Sequence, residues 1–452
     1  MKKSKLPNLN KCTIGVIGLG YVGFPLALKI ANQKTSLVTK KKIQRKVIGY
    51  DIDKRRISEL SRGIDNKTIF SKEFIKETKN IKFTNNKKLL ESTDIFIITV
   101  PTPINLHNNP DLTFLKEASK IVGACIKVKD YKGKNPIVIF ESTVYPGVTE
   151  EICIPIIEKI SGKKYNCKKF INSFYSGYSP ERINPGDKSY TIDSIIKVTS
   201  GCNDKVSEWI DSFYKSFITA GTFKVSSIKI AEAAKIIENT QRDINIALVN
   251  EMAIIFKKLN INTKEVLDAA NTKWNFHRYD PGLVGGHCIG VDPYYLTYKA
   301  KEIGYKTKLI SAGRKINDYM YKYVLEQIIS NLKKRKQSLQ LKKILLLGIS
   351  YKSNCGDIRN SQLIPLIKEI KKNTDKITVV DPLVNKKEVA REVGLKALDM
   401  IPRTSIYDII IFALNHNEFE KLTPEELSIY SNKDTIIFDL TNNLYGENIL
   451  NL

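Results

Sequence analysis

Long hydrophobic runs are missing from this chain of 452 residues: none approaches the roughly 18 apolar residues of a membrane-spanning helix, although 42% of the sequence is hydrophobic. Paired cysteines are missing as well. The seven cysteines, at positions 12, 125, 153, 167, 202, 288 and 355, stand singly, with no C-x-x-C and an odd total. That pattern speaks against a disulfide framework and a zinc site, and no metal is expected. The basic N-terminus MKKSKLPNLNK has no apolar h-region behind it, so no secretory signal is read and a cytoplasmic protein is expected. Acidic charge is scarce: 73 Lys and Arg face 47 Asp and Glu, a net charge of +26. Such an excess suits nucleic acid, a membrane surface or a phosphorylated ligand. The lysines are spread along the whole chain, and the local runs Lys40–Lys42 and Lys333–Lys336 read as solvated segments. No aromatic RNA-binding strand is visible, so an anionic small molecule is expected rather than nucleic acid or membrane.

What is present begins with a short apolar strand over Cys12–Ile17, then Gly18-Leu-Gly20-Tyr-Val22-Gly23, then an apolar helix over Phe24–Ala31. A G-x-G-x-x-G between a strand and a helix is a dinucleotide site. The first glycine allows the tight turn, the second lets the pyrophosphate approach the backbone, and the third packs the helix on the strand. Gly18, Gly20, Val22 and Gly23 are therefore expected at the cofactor. The next strand, Val47–Tyr50, ends at Asp51, which we read as the acceptor for a ribose hydroxyl and hence a preference for NAD over NADP. Asp51 lies 28 residues past Gly23, where about 20 is usual; the basic segment Thr39–Lys46 accounts for the excess as a longer loop. Arg56 either covers the adenosine side or lies on a solvated helix face. Strands at Ile95–Val100 and Ile137–Phe140 end in Thr- and Pro-bearing turns, which places Thr102 and Thr143 at the ligand crevice. Tyr175–Ile183 is a further strand running to Glu181 and Arg182, either site residues or a surface ion pair.

From Ser226 to about Leu259 there is no Gly or Pro for 34 residues, which predicts a helix of about 51 Å that joins domains and pairs subunits. Lys235, Asn239 and Arg242 share one of its faces, as a wet side or as a pocket lining. After a helix over Arg314–Asn331 and the basic connector Lys333–Lys342, a second strand–helix alternation begins, with strands near Ile344–Leu347, Ile377–Val380, Ile409–Phe412 and Thr435–Phe438. It lacks a G-x-G-x-x-G. Its first strand opens into a donor-rich loop holding Lys352 and Arg359, suited to a nucleotide diphosphate. The fold class is α/β: two doubly wound Rossmann-like domains joined by a long central helix.

Between these halves lies PGLVGGHCIGVDPYYL, residues 281–296. Cys288 is either a structural cysteine in a tight turn or the nucleophile of a carbonyl-level reaction. We take it as the nucleophile, with Gly285, Gly286 and Gly290 letting backbone and substrate come close and Asp292 within reach. His287 beside it could suggest a Cys–His pair, but neighbours in a Gly-flanked turn point apart.

The ordered motifs GLGYVG, TVPTPIN, ESTVYPG, YSPERINPGDK, AEAAKIIENTQRDINIALVNE, PGLVGGHCIGVDPYYL and SYKSNCGDIRNS resemble the UDP-glucose/GDP-mannose dehydrogenase family over essentially the whole chain. SPERINPGDK and GGHCIGVDPYYL are most similar to bacterial UDP-N-acetylglucosamine or UDP-N-acetylgalactosamine 6-dehydrogenases of capsule and O-antigen pathways. Pro185 and Val291 stand where UDP-glucose dehydrogenases carry a second glutamate and a lysine, which argues against UDP-glucose.

The resemblance implies NAD-dependent four-electron oxidation of the sugar C6 hydroxyl to a carboxylate, through a thiohemiacetal and then a thioester on Cys288. It implies Lys235 as the cation and proton donor at the oxyanion, Asn239 as a hydrogen-bond donor, Asp292 and Thr143 at the water, and Glu181 in acid–base steps. Arg182, Ile183, Lys235, Asn239, Arg242, Gly285 and Lys352 match sugar- and phosphate-contacting positions, and Arg359 a position near cofactor and diphosphate. His277 and Arg278 receive no role. It also implies an NAD-binding domain over 1–222, a central dimerisation domain carrying the cysteine over 223–330, a UDP-sugar-binding domain over 331–452, and a homodimer or higher oligomer. Two other readings stand beside it: a two-electron β-hydroxyacid-type dehydrogenase, and a non-enzymatic basic protein that binds nucleotide or RNA. Gluco, galacto and manno sugars are not distinguished by the motifs; UDP-glucose and UDP-N-acetylmannosamine remain alternatives.

Overall fold

A computed structural model of the chain describes residues 5–65, 70–129, 131, 134–166, 173–183, 191–446 and 448–452. Cys167 and Pro185 lie outside the described residues. The chain forms two compact units, Met1–Glu238 with Tyr294–Lys299, and Asn239–Pro293 with Ala300–Leu452.

The first unit is built on strands β1 (Thr13–Ile17), β2 (Lys46–Tyr50), β3 (Ile81–Thr84), β4 (Ile95–Ile98), β5 (Ile137–Phe140), β6 (Lys164–Tyr165), β7 (Ser173–Tyr178), β8 (Lys197–Gly201) and β9 (Thr222–Lys224). Their order is β3-β2-β1-β4-β5-β7-β8-β9, with β6 beside β7. Only β7 and β8 run antiparallel among these pairs. Sequences such as IFII in β4 and IVIF in β5 are buried at every position, as strands covered on both faces must be. Register then sets the site: Ile17 pairs with Ile98, Ile98 with Phe140, and Phe140 with Tyr178. The segments that begin at Gly18, Thr99, Glu141 and Ser179 consequently leave the sheet along one edge, the carboxyl ends of the strands. The helices Gly23–Asn32 and Asp204–Lys215 pack Phe24, Leu28, Ile210 and Phe213 onto Ile14, Val16 and Ile97.

The basic segment before β2 is not wholly solvated. Arg45 is buried, donating through Nε and Nη2 to the Leu9 carbonyl at 3.0 and 2.9 Å and through Nη2 to Ser216 Oγ at 2.8 Å. Its guanidinium lies 4.7 Å over Phe213, so the end of this segment is a strut under the sheet. Segment Tyr294–Lys299 docks on the same unit, where the Tyr295 hydroxyl donates to the Thr102 carbonyl at 2.9 Å.

The second unit has six parallel strands, β10 (Ile344–Leu347), β11 (Ile377–Val380), β12 (Ala397–Leu398), β13 (Tyr407–Phe412), β14 (Ser431–Asp439) and β15 (Ile449–Asn451), in the order β12-β11-β10-β13-β14-β15. Helix Leu309–Lys334 buries Met320, Val324, Ile328 and Leu332 on it. This helix is longer than the sequence pattern suggests. Lys333 and Lys334 are solvated as expected but form its last turn rather than part of a connector, where their charge complements the negative helix end.

A single helix, Ile228–Lys258, carries the chain from the first unit into the second after Glu238; its 31 residues make about 46 Å. Within the first unit it supplies Glu232, fully buried, whose carboxylate accepts the backbone N–H of Gly147 at 2.6 Å and of Thr149 at 3.0 Å. Burial pushes this carboxylate up to about 7, against the pull of those N–H groups. Because the folded value lies above the unfolded one, the stabilising contribution is full below about pH 4.3 and fades as pH rises through about 7. The melting temperature should therefore fall over that window, and Glu232→Gln should remove this part of the slope. Thermal melts at stepped pH check it; identical slopes in parent and variant would contradict it.

Candidate active site

In the first unit the edge of the sheet holds a glycine turn whose geometry is set by the protein on one side and open on the other. Gly18 has φ +95°, and a Cβ on Gly23 would lie 1.9 Å from the Gly18 carbonyl oxygen, so both positions exclude side chains for internal reasons. A Cβ on Gly20 would meet nothing within 4 Å. The protein's own packing leaves that space clear, and the turn opens onto the first turn of helix Gly23–Asn32, so the residues fit a dinucleotide pyrophosphate. Val22 is the residue before that helix. Asp51 accepts the Leu19 N–H on Oδ2 at 2.8 Å and the Asp53 N–H on Oδ1 at 3.0 Å. A carboxylate has lone pairs for more than these two bonds, and this one is half-buried at the edge.

Arg56 corrects the solvated-face reading. It is buried, ion-paired to Asp65 at 2.5 Å, donates to the Leu19 carbonyl at 2.9 Å, and lies 5.2 Å over Phe24. Its guanidinium buttresses the glycine turn from within. Thr102 and Thr143 come together at the strand ends, the Thr102 hydroxyl donating to the Thr143 carbonyl at 2.7 Å. Glu181 and Arg182 do not pair through their side chains. Glu181 is buried against Lys197, whereas Arg182 meets Glu238 of the long helix at 2.8 Å and the Ile196 carbonyl at 3.0 Å. Ile183 presents its N–H to Glu181 at 2.9 Å. Lys235 is buried, which removes the wet-side reading for its position on the helix.

In the second unit Cys288 is half-buried, and its carbonyl accepts the N–H groups of Val291 and Asp292 at 3.0 and 2.8 Å, so the thiol sits one turn ahead of helix Asp292–Glu302. Asp292 is buried and accepts the Asn239 amide at 2.5 Å. The loop before the thiol is held at several points. Asn250 bonds both backbone groups of Gly282 at 2.8 and 3.1 Å, the Gln362 amide donates to the Val284 carbonyl at 2.9 Å, and that of Asn360 to the Gly286 carbonyl at 3.2 Å. The glycines serve this clamp. A Cβ on Gly285 would lie 2.6 Å from the Asn360 carbonyl oxygen, and one on Gly286 would lie 2.6 Å from the Tyr351 ring. Gly290 has only ordinary contacts at 3.9–4.0 Å, so the protein's own packing does not require a glycine there.

Burial raises four other described thiols, Cys12, Cys125 and Cys153 to about 12 and Cys202 to about 11, far from the thiolate range useful near neutrality. His287 is held by Asp357, with Nε2 2.7 Å from Oδ2. The Asp357 carboxyl is kept well below its usual range although burial opposes it, because His287 and Arg359 bond it. Arg359 itself is exposed, with Nη2 2.6 Å from Asp357. Lys352 is half-buried in the loop after β10, 5.7 Å over the Tyr351 ring. Arg242 is exposed, unlike Lys235 and Asn239. Among the described residues no group of three or more His, Cys, Asp or Glu could hold a metal, and no helix is long and apolar enough to cross a membrane.

Three family models match in series: the NAD binding domain of the UDP-glucose/GDP-mannose dehydrogenase family over residues 12–218, its central domain over 229–319 and its UDP binding domain over 345–446. The chain belongs to the UDP-glucose/GDP-mannose dehydrogenase family. It is 46% identical to the UDP-N-acetyl-D-glucosamine 6-dehydrogenase of Pseudomonas aeruginosa, over 94% of this chain and 96% of that protein. It is also 46% identical to Protein CapL of Staphylococcus aureus, over 94% of this chain and 95% of that one. Among solved structures, the UDP-D-ManNAc dehydrogenase of Pyrococcus horikoshii superposes with a TM-score of 0.82 at 28% identity, covering 97% of this chain and 98% of that one. As a member of this dehydrogenase family the protein is an NAD-dependent oxidoreductase acting on a nucleotide sugar.

Asn250, Asn317, Gln362, Glu141 and Lys197 are the residues around these positions that sequence reading passed over. A buried amide inside a helical run looks like any surface Asn or Gln, and Lys197 heads a strand that the apolar pattern does not reveal. The glycine turn yields a direct check of cofactor fit. Gly20→Ala should fold with an unchanged melting temperature yet bind NAD at least tenfold more weakly, whereas Gly23→Ala should lose about 1–3 kcal/mol of stability as well. Melting curves and NAD titration of both variants decide it; unchanged NAD affinity in Gly20→Ala would contradict the fit.

Proposed function

We propose that this dehydrogenase oxidises the C6 hydroxyl of a UDP-N-acetylhexosamine, UDP-N-acetylglucosamine or UDP-N-acetylgalactosamine, to the uronic acid, for surface polysaccharide synthesis in the cytoplasm. The observation that carries the chemistry is the half-buried Cys288 on a clamped loop, one turn from an Asp292 bonded to Asn239. The sugar class rests on the relatives named as UDP-N-acetyl-D-glucosamine 6-dehydrogenases. NAD, when bound, supplies the hydride acceptor, and the balance is one alcohol, one water and two NAD giving one carboxylate, two NADH and three protons.

The chain's own residues do the rest. Gly18, Gly20, Val22, Gly23, Asp51, Thr102 and Arg359 belong to cofactor binding, and Arg56 acts there by holding the glycine turn from within. Cys288 adds to the C6 aldehyde as a thiohemiacetal, which restores a C–H bond at the carbon to be oxidised again, and the resulting thioester is opened by water. Lys235 and Asn239 supply a cation and an N–H donor to the oxyanion. Asp292, pinned by Asn239, orients or deprotonates the water, a role to which Thr143 is also assigned, and Glu181 takes up protons. Arg182, Ile183, Arg242, Gly285 and Lys352 hold the sugar nucleotide. Residues 1–222, 223–330 and 331–452 serve as cofactor, central and UDP-sugar parts. A homodimer or higher oligomer is supported by the long helix and its exposed Ile237, Leu248 and Ile255.

A spectrophotometric panel of UDP-glucose, UDP-N-acetylglucosamine, UDP-N-acetylgalactosamine, UDP-N-acetylmannosamine and GDP-mannose tests this. An N-acetylhexosamine should be the best substrate and yield two NADH per sugar, and Cys288→Ser should lower the rate by about 10³-fold or more. One NADH per sugar, or full activity in Cys288→Ser, would overturn the reading.

A further inference from the structure

The first unit contains a buried charged cluster of which only Glu181 has a role in the steps above. Lys197 on β8 has a side chain only 3% exposed, and its ammonium lies 2.7 Å from Glu141 Oε2 and 2.8 Å from Glu181 Oε2. Glu141, at the end of β5, has no exposed side-chain surface, and its other oxygen accepts the Tyr214 hydroxyl. On Glu181 the other oxygen accepts the N–H groups of Arg182 at 2.6 Å and Ile183 at 2.9 Å. Each carboxylate is thus bound only by donors in these contacts, the pattern of an ionised acid. One ammonium between two carboxylates leaves one net negative charge in a dry interior, where charge interactions are strong.

Burial pushes Glu141 above the usual carboxylate range, with Lys197 opposing. Burial would lower Lys197, but the two carboxylates hold it above its ordinary value. Among the described residues Lys197 is the cation facing Glu181, Glu141 is the second acid, and Tyr214 joins through Glu141. The Arg182 guanidinium is turned to Glu238.

We propose that Lys197 is a positioning residue of the reaction, holding Glu181 as an ionised and oriented base, and that Glu141 tunes how readily that base takes a proton. This rests on the reading of Glu181 as a proton acceptor in sugar oxidation. The cluster makes two opposite demands on pH dependence. Glu141→Gln removes a neighbouring negative charge, so Glu181 stays ionised to lower pH. Lys197→Met removes the cation between two like charges, so a proton is taken up at higher pH.

The test is the pH profile of kcat/KM for UDP-N-acetylglucosamine at saturating NAD, from about pH 5 to about pH 9, in the parent and both variants. The acid limb should move down by about one unit in Glu141→Gln and up by about one unit in Lys197→Met, a tenfold change in rate at a fixed pH on the limb. A purely structural role would lower kcat without moving the limbs in opposite directions. Limbs that stay in place, or move together, overturn the proposal. If melting curves show Lys197→Met unfolded, the Glu141→Gln profile decides alone: a downward shift supports the proposal and an unmoved limb overturns it. A parent that reduces no NAD with any sugar of the panel overturns the oxidation reading and this one with it, whereas an active parent with unmoved limbs overturns this one alone.

Discussion

Asn250 grips Gly282 by both backbone groups, and Gln362 and Asn360 hold the next turns of the same loop. The presentation of Cys288 depends on this clamp. A thiol must meet a carbon along a narrow path, and a displacement of about 1 Å can cost 100-fold in rate. A loop on a surface would not hold that path by itself, because its backbone would exchange partners with water. Here buried amides replace water, and Asn317 ties Asn250 to Asp243 and so to the buried Arg314 pair. The absence of side chains at Gly285 and Gly286 follows from how closely the segment after β10 packs on them.

The two sheets repeat one turn and use it differently. Gly18 and Gly348 both have positive φ, at +95° and +88°, and each follows the first central strand of its sheet. Leu19 donates its N–H to Asp51 and Ile349 donates its own to Asp381, at 2.8 and 2.9 Å. Asp51 remains at the edge, half-buried. Asp381 is fully buried, with His416 Nε2 3.3 Å from it, while His416 Nδ1 accepts the Asn354 N–H at 2.9 Å. An imidazole accepting at Nδ1 carries its proton at Nε2, which fits a bond to the acid. The ring thus occupies the counterpart of Asp51 in the second sheet. The second sheet spends its turn on fixing the segment of Lys352 and Arg359, consistent with a domain for a nucleotide diphosphate rather than a dinucleotide.

Much of this was legible in the sequence because apolar runs between glycines and prolines mark strands that are covered on both faces. β5, β10 and β11 fall where the pattern places them. β3, β6, β8, β9, β12 and β15 were not visible: they are short, lie toward the sheet edges or carry polar residues such as those of KVTSG, and tertiary pairing rather than local pattern forms them. At the site, the glycine turn, Cys288 and Asp292 announce themselves through spacing. Arg56 and Lys197 do not, since a charged residue reads as solvated until packing shows what it meets. Glu181 was legible as a candidate, but its partner was not, because Lys197 lies 16 residues away on an antiparallel strand.

The central claim is a covalent bond between Cys288 and the sugar carbon, and acid quench followed by peptide mass spectrometry tests it most directly. With Asp292→Asn slowing hydrolysis, turnover with UDP-N-acetylglucosamine and NAD should leave the peptide containing Cys288 heavier by the uronyl nucleotide sugar. An adduct on another cysteine, or none while NADH still forms, would contradict the account.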